Sequence, residues 1–138
     1  MSELERFGVS MDGKLLAELD RRIARAGYAS RSEALRDMVR DYLVEREWES
    51  GGDVVVGTVT IVYDHHQREV ESALTELQHE HHEAIACTTH VHLDPHNCLE
   101  VVVVRGTAAQ VRRIAEHLIS LRGVKHGKLV CTTTGRDL

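Results

Sequence analysis

Residues 84–105 read AIACTTHVHLDPHNCLEVVVVR, a pattern typical of two β-strands joined by a tight turn. β-branched residues are frequent on both sides of Asp94-Pro95-His96-Asn97, and this tetrapeptide is rich in residue types that favour turns. So short a connection can join antiparallel strands, whereas parallel strands require a long crossover. The segment therefore predicts a hairpin with strands over 84–93 and 98–105.

The segments on either side of this hairpin extend it into a larger domain. Alternating β-branched residues predict a strand over 54–63, and apolar residues at helical spacing predict a helix over 68–82. After the hairpin, the same criteria predict a helix over 107–121 and a strand over 128–134. The complete order, β-α-β-β-α-β, is that of ferredoxin-like domains.

A short strand is predicted near the N-terminus, because Phe7, Val9 and Met11 alternate with polar or small residues. A lone strand leaves its backbone amides without partners, and a unit of about fifty residues buries little apolar surface. Two copies solve both problems if their strands pair as an antiparallel ribbon. We therefore expect this part of the chain to be an obligate dimer.

Two helices follow the predicted strand. Asp12 is placed to cap the first helix and Gly27 to end it, while Ser30 and Glu33 have the spacing of a capping box at the start of the second. The one Gly-Gly pair of the chain marks the end of this unit. The result is an α+β chain with a β-α-α domain at 1–49, a linker at 50–53 and the β-α-β-β-α-β domain at 54–138.

Composition excludes several classes of protein. The chain has 138 residues, of which 42% are hydrophobic and 28% charged, so global disorder is not expected. A net charge of −5 argues against a general binder of polyanions. No apolar run approaches the roughly 20 residues of a membrane helix, and no secretory signal is visible. The chain has three cysteines, an odd number that argues against a disulfide framework. Together with the lack of a visible targeting segment, this predicts a protein of the cytoplasm with no membrane partner.

The motif His90-Val91-His92 is the clearest candidate for chemistry. Successive side chains of a strand point to opposite faces, so both imidazoles lie on one face, and the turn returns the chain so that Cys98 lies beside them. The plainer interpretation is that the two histidines are polar neighbours on the strand and that Cys98 is a small apolar residue of the core. Two imidazoles and a thiolate suit Zn, Cu, Fe or Ni, and one of the histidines at 79, 81 and 82, at the end of the preceding helix, could complete the set.

Two further residues of the hairpin are predicted to lie on opposite faces and to have different roles. Glu100 shares the face of Cys98 and could accept a hydrogen bond from a metal-bound imidazole, or it could be a solvent-facing carboxylate. Cys87 lies three residues before His90, on the opposite face, and we interpret it as a packing residue.

The N-terminal unit is a candidate for DNA contact. A paired ribbon presents Arg6, Gly8 and Ser10 on its outer face, and a two-stranded ribbon fits the major groove. The start of the second helix, at Ser30-Arg31-Ser32, offers free backbone amides to a phosphate. The alternative is a ribbon that only dimerises and a cap that only ends a loop.

Taken together, the N-terminal pattern, the segment GYASRSEA at 27–34, His79, and HVH…CLE at 90–100 resemble the nickel-responsive repressor family of NikR type. The resemblance covers essentially the whole chain, and its specific part is the HVH…CLE block. It implies a ribbon-helix-helix domain followed by an ACT-like regulatory domain. It also implies a homotetramer, a dimer of dimers with the regulatory domains at its core.

The resemblance also assigns functions to individual residues. It implies one square-planar Ni(II) per chain, held by His90, His92 and Cys98 of one chain and His79 of a neighbour. Base-reading positions fall on Arg6, Gly8 and Ser10, and Gly8 departs from the hydroxyl-bearing residue often found there, which leaves the operator sequence open. Glu33 and Asp37 match a secondary cation site, although Glu33 also suits a capping role.

These inferences predict a metal-dependent transcriptional repressor that is not an enzyme. Metal binding in the C-terminal domain would favour a DNA-competent placement of the ribbons on palindromic half-sites of double-stranded operator DNA. The alternatives are the same architecture responding to Co, Zn, Cu or a small molecule, a metallohydrolase with an open coordination position, and an antitoxin.

Overall fold

The computed structural model describes residues 3–138, and this part of the chain forms four α-helices and four β-strands. In chain order these are α1 Gly13–Ala26, α2 Arg31–Ser50, β1 Val54–Asp64, α3 Arg68–Glu80, β2 Ile85–His92, β3 Asn97–Thr107, α4 Ala108–Ser120 and β4 Val124–Thr132. From β1 onward the order is β-α-β-β-α-β. The predicted α+β class is confirmed, with α3 ending earlier and β4 beginning earlier than expected.

The four strands form one antiparallel sheet in the order β2-β3-β1-β4. Helices α3 and α4 contribute to a core on one face of this sheet, where alternate residues of β1 and β3 are buried. Val59, Val102 and Leu118 are fully buried within it. Strand β2 lies at one edge, so residues on its helix-side face remain open to solvent.

The predicted helix boundaries of the N-terminal unit are confirmed by their caps. The Asp12 carboxylate accepts the backbone N–H of Lys14 at 2.9 Å, and Gly27 ends α1 at a φ of 80°. Ser30 Oγ accepts the N–H of Glu33 at 3.2 Å, the first half of the expected capping box. The second half is displaced by one residue, because the Glu33 carboxylate accepts the N–H of Ala29.

The predicted strand near residues 6–11 is not formed in the single chain. Residues 3–12 are irregular and exposed, and Phe7 and Val9 are 82% and 60% exposed. A strand requires a hydrogen-bonded neighbour, and the expected neighbour is the same segment of a second chain. The ribbon therefore stays a prediction.

The chain divides into two compact units within α2, the first ending at Asp41 and the second beginning at Tyr42. This division lies before the expected linker at 50–53. The reason is Trp48, which is 5% exposed and belongs to the core of the sheet unit. Its indole N–H donates to the carbonyl of Thr132 at 2.8 Å, and the Arg112 guanidinium lies 5.2 Å from its ring. The end of α2 therefore folds with the sheet.

Among the helices of residues 3–138, none has both the length and the hydropathy that crossing a bilayer would require.

Candidate metal centre and DNA-contacting residues

Strand register brings two histidines and a cysteine to one end of the sheet. His92 of β2 pairs with Cys98 of β3, and Cys98 in turn pairs with Tyr63 of β1. The next row on the same face pairs His90 with Glu100. One ligand atom from each of His90, His92 and Cys98 lies within 4.8 Å of the others. The hairpin thus places three potential metal ligands together.

The cysteine of this group is buried, whereas its two histidines face solvent. Cys98 is fully buried, and its Sγ lies 3.6 Å from Nδ1 of His92. Burial raises the pKa of the Cys98 thiol, and the carboxylates of Glu71 and Glu100 raise it further. The free thiol is therefore neutral near pH 7, and a cation must displace its proton. The same carboxylates add negative charge that attracts a cation.

Two side chains lie close to Nδ1 of His90. Its Nδ1 lies 3.1 Å from the Tyr63 hydroxyl and 3.5 Å from a Glu100 carboxylate oxygen. Tyr63 is 1% exposed, and burial raises its pKa well above the ordinary value, so the hydroxyl stays protonated. With Nδ1 engaged on this side, Nε2 is the nitrogen of His90 left to face a ligand. Glu100 thus lies beside His90, and its contact with a metal-bound imidazole stays a prediction.

A polar chain connects Glu100 to helix α3. The second carboxylate oxygen of Glu100 accepts from Gln78 Nε2 at 3.3 Å, and Gln78 Oε1 accepts from the Thr88 hydroxyl at 2.8 Å. Sequence reasoning missed Tyr63, Gln78 and Thr88. The available signals were the position of Thr88 two residues before His90 and the polar Gln78 beside His79, but only the fold brings them together.

His79 lies near the end of α3, exposed, and is not grouped with the three donors of the hairpin in residues 3–138. The expectation that it serves a neighbouring chain is not tested by a single chain. Cys87 lies on the opposite face of β2, as expected from its spacing. Cys87 is exposed in the single chain, so its interpretation as a packing residue is wrong for the single chain.

The candidate DNA-contacting residues are accessible. Arg6, Gly8 and Ser10 lie in the irregular segment before α1, and Ser30, Arg31 and Ser32 lie exposed at the start of α2. The Arg31 guanidinium donates twice to the Asp20 carboxylate at 2.8 Å. This pair raises the pKa of Arg31 and lowers that of Asp20. A phosphate at this position would compete with Asp20 for the side chain of Arg31.

Glu33 and Asp37 line one cavity of about 240 Å³, together with Tyr28, Arg36 and Arg40. The Asp37 carboxylate accepts from the Tyr28 hydroxyl at 2.8 Å and from Arg40 at 3.1 Å. The cavity therefore brings together the two acids expected at a secondary cation site, but arginines already counter part of their charge. Cation binding there stays a prediction.

Two family models match the two parts of the chain. One is described as the NikR C terminal nickel binding domain and matches residues 56–132. The other is described as ribbon-helix-helix protein, copG family, and matches residues 5–46. Together they span both of the units that the sequence predicts.

Relatives that carry the name nickel-responsive regulator match over the full length. The relative from Geobacter metallireducens is 58% identical over 138 residues, which is 100% of this chain and 99% of the relative. The relative from Geobacter sp. strain M21 is 59% identical with the same coverage. The relative from Pyrococcus horikoshii is 52% identical over 136 residues, 99% of each chain.

A solved structure of an uncharacterized protein from Thermotoga maritima has a similar fold. Its TM-score is 0.52 at 18% identity, and the match covers 57% of this chain and 98% of that chain. At this identity the likeness supports the fold alone.

Proposed function

The chain belongs to the nickel-responsive regulator family, and we propose that His90, His92 and Cys98 of one chain, with His79 of a neighbour, hold the nickel that controls its DNA binding. It is a nickel-responsive transcriptional regulator with a ribbon-helix-helix DNA-binding region and a C-terminal nickel-binding domain. The observation that carries the residue assignment is the convergence of the three hairpin donors within 4.8 Å.

The chemistry of these donors fits Ni(II). Imidazoles bind Ni(II) well, and a thiolate adds a softer ligand. Nearby carboxylates supply negative charge, and the contact of His90 Nδ1 with Tyr63 and Glu100 favours coordination through Nε2. When bound, Ni(II) would supply a positive charge that joins ligands of two chains. We propose one ion per chain at this site.

An assembly of four chains is supported by surfaces that a single chain leaves open. The sheet face opposite α3 and α4 carries apolar residues without cover: Val91 and Val130 on this face are 41% and 57% exposed. Exposed apolar patches of this kind mark contacts between proteins. The exposed Phe7 and Val9 require a second contact, through a paired ribbon. Two different self-contacts per chain suit a dimer of dimers.

Operator recognition follows from the ribbon. Arg6 and Ser10 carry side chains that can donate to base edges in the major groove, whereas Gly8 offers only backbone. The backbone amides at Ser30, Arg31 and Ser32 suit a phosphate. Because two chains form the ribbon around a two-fold axis, the operator is expected to contain palindromic half-sites of double-stranded DNA. Metal binding raises operator affinity, and thereby repression, by favouring the DNA-competent arrangement.

The chain is proposed to act as a regulator without catalytic activity, in the cytoplasm. Four protein ligands would leave no open coordination position for a substrate, which a metallohydrolase requires. The cytoplasm contains the operator DNA and keeps a ligand thiol reduced.

Measuring operator binding in a series of metals tests this proposal. Purified protein is titrated onto a labelled palindromic operator fragment without metal and with Ni(II), Co(II), Zn(II) or Cu(II). We expect Ni(II) to raise affinity for the operator but not for a scrambled duplex of equal length. A larger response to another metal would reassign the effector, and equal binding with and without every metal would contradict the mechanism.

A further inference from the structure

A side chain of β4 contacts the turn between β2 and β3. Nζ of Lys125 donates to Oδ1 of Asn97 at 2.6 Å. Because β1 lies between β3 and β4 in the sheet, this contact spans the end of β1. Asn97 is the residue immediately before Cys98. We propose that Lys125 is a positioning residue that fixes the nickel ligands through Asn97 and so favours Ni(II) over Zn(II), an inference that rests on the proposed nickel site of the hairpin.

A β-bulge gives the Lys125 side chain its direction. Val62 pairs with His126, and the next pair is Tyr63 with Val124, so Lys125 is the extra residue of a bulge in β4. With regular pairing Lys125 would oppose Tyr63, and its side chain would point to the face on which Tyr63 is buried. A bulge redirects the side chain of its extra residue. Here it allows the ammonium to reach the turn.

The Asn97 amide passes the restraint from Lys125 to the rest of the turn. Its Nδ2 donates to one carboxylate oxygen of Asp94 at 2.8 Å, while the backbone N–H of Asn97 donates to the other at 2.7 Å. The two ends of the amide thus have different partners, an ammonium that only donates and an ionised carboxylate that only accepts. A single orientation of the amide satisfies both.

The turn held in this way carries a proposed metal ligand at each end. His92 is the last residue of β2, and Cys98 is the second residue of β3. The Asn97 carbonyl accepts the backbone N–H of Leu93 at 3.0 Å, which closes the turn between them. A displacement of Asn97 would therefore change the separation of Cys98 Sγ from His92 Nδ1, which is 3.6 Å.

Ligands that are fixed in advance favour a metal that requires a particular geometry. Groups that orient metal ligands typically change metal affinity by about 10–100-fold. Zn(II) has no geometric preference from its d electrons, whereas tetragonal geometry is typical of Ni(II) and Cu(II). A loosened turn should therefore weaken Ni(II) binding more than Zn(II) binding. Lys125 is exposed, and exposed polar contacts contribute little to global stability, so the effect is expected to be local.

The affinities of the full chain for Ni(II) and Zn(II), measured by competition with a chelator, test the proposal. Wild type is compared with Lys125→Met, which removes the ammonium, and with Lys125→Arg, which keeps a cation that can donate to Asn97. Lys128→Met, at an exposed lysine of β4 that pairs with Thr60, is the matched control. We expect Lys125→Met to bind Ni(II) about tenfold more weakly, with a smaller loss for Zn(II) and a shifted thiolate-to-nickel absorption. Lys125→Arg and Lys128→Met should bind both metals like wild type.

Asn97→Ala shows whether Lys125 acts through Asn97. In the Asn97→Ala background, Lys125→Met should cause no further loss of Ni(II) affinity, because the contact between the two side chains is already absent. Additive losses would overturn the proposal. Wild-type affinity in Lys125→Met, or equal losses of Ni(II) and Zn(II) affinity, would overturn it as well.

Metal-free protein separates this inference from the proposed function. Without metal, Lys125→Met should speed hydrogen exchange of the Leu93 amide, which donates within the turn, and leave that of Val102 in the central strand β3 unchanged. Unchanged exchange at Leu93 would contradict the positioning role even if the nickel site itself is correct. Conversely, a Cys98→Ser variant that keeps nickel binding and its absorption would contradict the proposed site, whatever the result for Lys125→Met.

Discussion

The sheet unit and the N-terminal unit differ in how much of their apolar surface one chain can bury. In the sheet unit Val59, Val102 and Leu118 are fully buried between strands and helices. In the N-terminal unit Phe7 is 82% exposed, although its alternation with polar residues is that of a half-buried strand. The core of the first unit is completed by its own chain, whereas the second unit has the pattern of one half of a structure. Apolar periodicity identifies a buried face but not the chain that covers it.

The largest effect that tests this difference between the units is expected from substitutions in the core of the sheet unit. Leu118→Ala removes a fully buried side chain and should lower the free energy of unfolding of the sheet unit by about 2–5 kcal/mol. Phe7→Ala should leave that free energy unchanged but abolish operator binding, because it weakens the proposed ribbon dimer. Urea denaturation followed by circular dichroism measures the first effect. Equal destabilisation of the sheet unit by both variants would break the distinction.

A smaller effect is expected at the ribbon surface. Arg6→Ala should cost about 1–3 kcal/mol of operator affinity, and the loss should be concentrated at one base pair of each half-site. Fluorescence anisotropy with single-base variants of the operator measures both quantities. Lys14→Ala, at an exposed position of α1, provides the control. If random DNA loses as much affinity as the operator, Arg6 contacts phosphate rather than bases.

The dependence of nickel affinity on pH tests the metal ligands proposed for the sheet unit. Burial, together with Glu71 and Glu100, raises the pKa of Cys98, so its thiol carries a proton that nickel must displace. Apparent affinity should therefore fall as pH falls, by about tenfold per pH unit for each proton displaced. A flat profile between mildly alkaline and mildly acidic pH, measured by competition with a chelator, would exclude this ligand set.

The smallest effect is expected where α2 joins the sheet unit. Trp48→Phe keeps an aromatic ring but removes the N–H that donates to the Thr132 carbonyl. We expect a loss of about 1 kcal/mol in stability, because one hydrogen bond is removed and the carbonyl can regain water. Trp48→Ala should cost more, since it also removes a ring that is 5% exposed. Unchanged thermal unfolding in both variants would show that the end of α2 does not fold with the sheet.

The parts of the site that could be predicted are those encoded within one hairpin. His90, His92 and Cys98 lie within nine residues, and strand periodicity with a tight turn is enough to bring them together. Tyr63 and Gln78 belong to other elements, 27 residues from His90 and 22 residues from Glu100. Their contacts depend on strand order and helix packing, which local patterns do not specify.

Two boundaries differ between the sequence pattern and the structure, for related reasons. Trp48 stands among charged residues just before the Gly pair, a position that predicts membership of the first domain, and its burial follows only from the packing of the sheet. Strand β4 begins at Val124 rather than at residue 128. It is an edge strand with exposed Lys125 and His126, and this polar start obscured the alternation.

The central claim is that Cys98 and the two histidines beside it connect nickel to DNA binding. The most direct measurement is the change in operator affinity on adding Ni(II), compared between Cys98→Ser and Cys87→Ser. These cysteines lie on opposite faces of the same hairpin, so the second variant controls for the loss of a thiol. We predict that Cys87→Ser keeps the full nickel response and that Cys98→Ser loses it. A response that survives in Cys98→Ser, or disappears in Cys87→Ser alone, would contradict the assignment of this site.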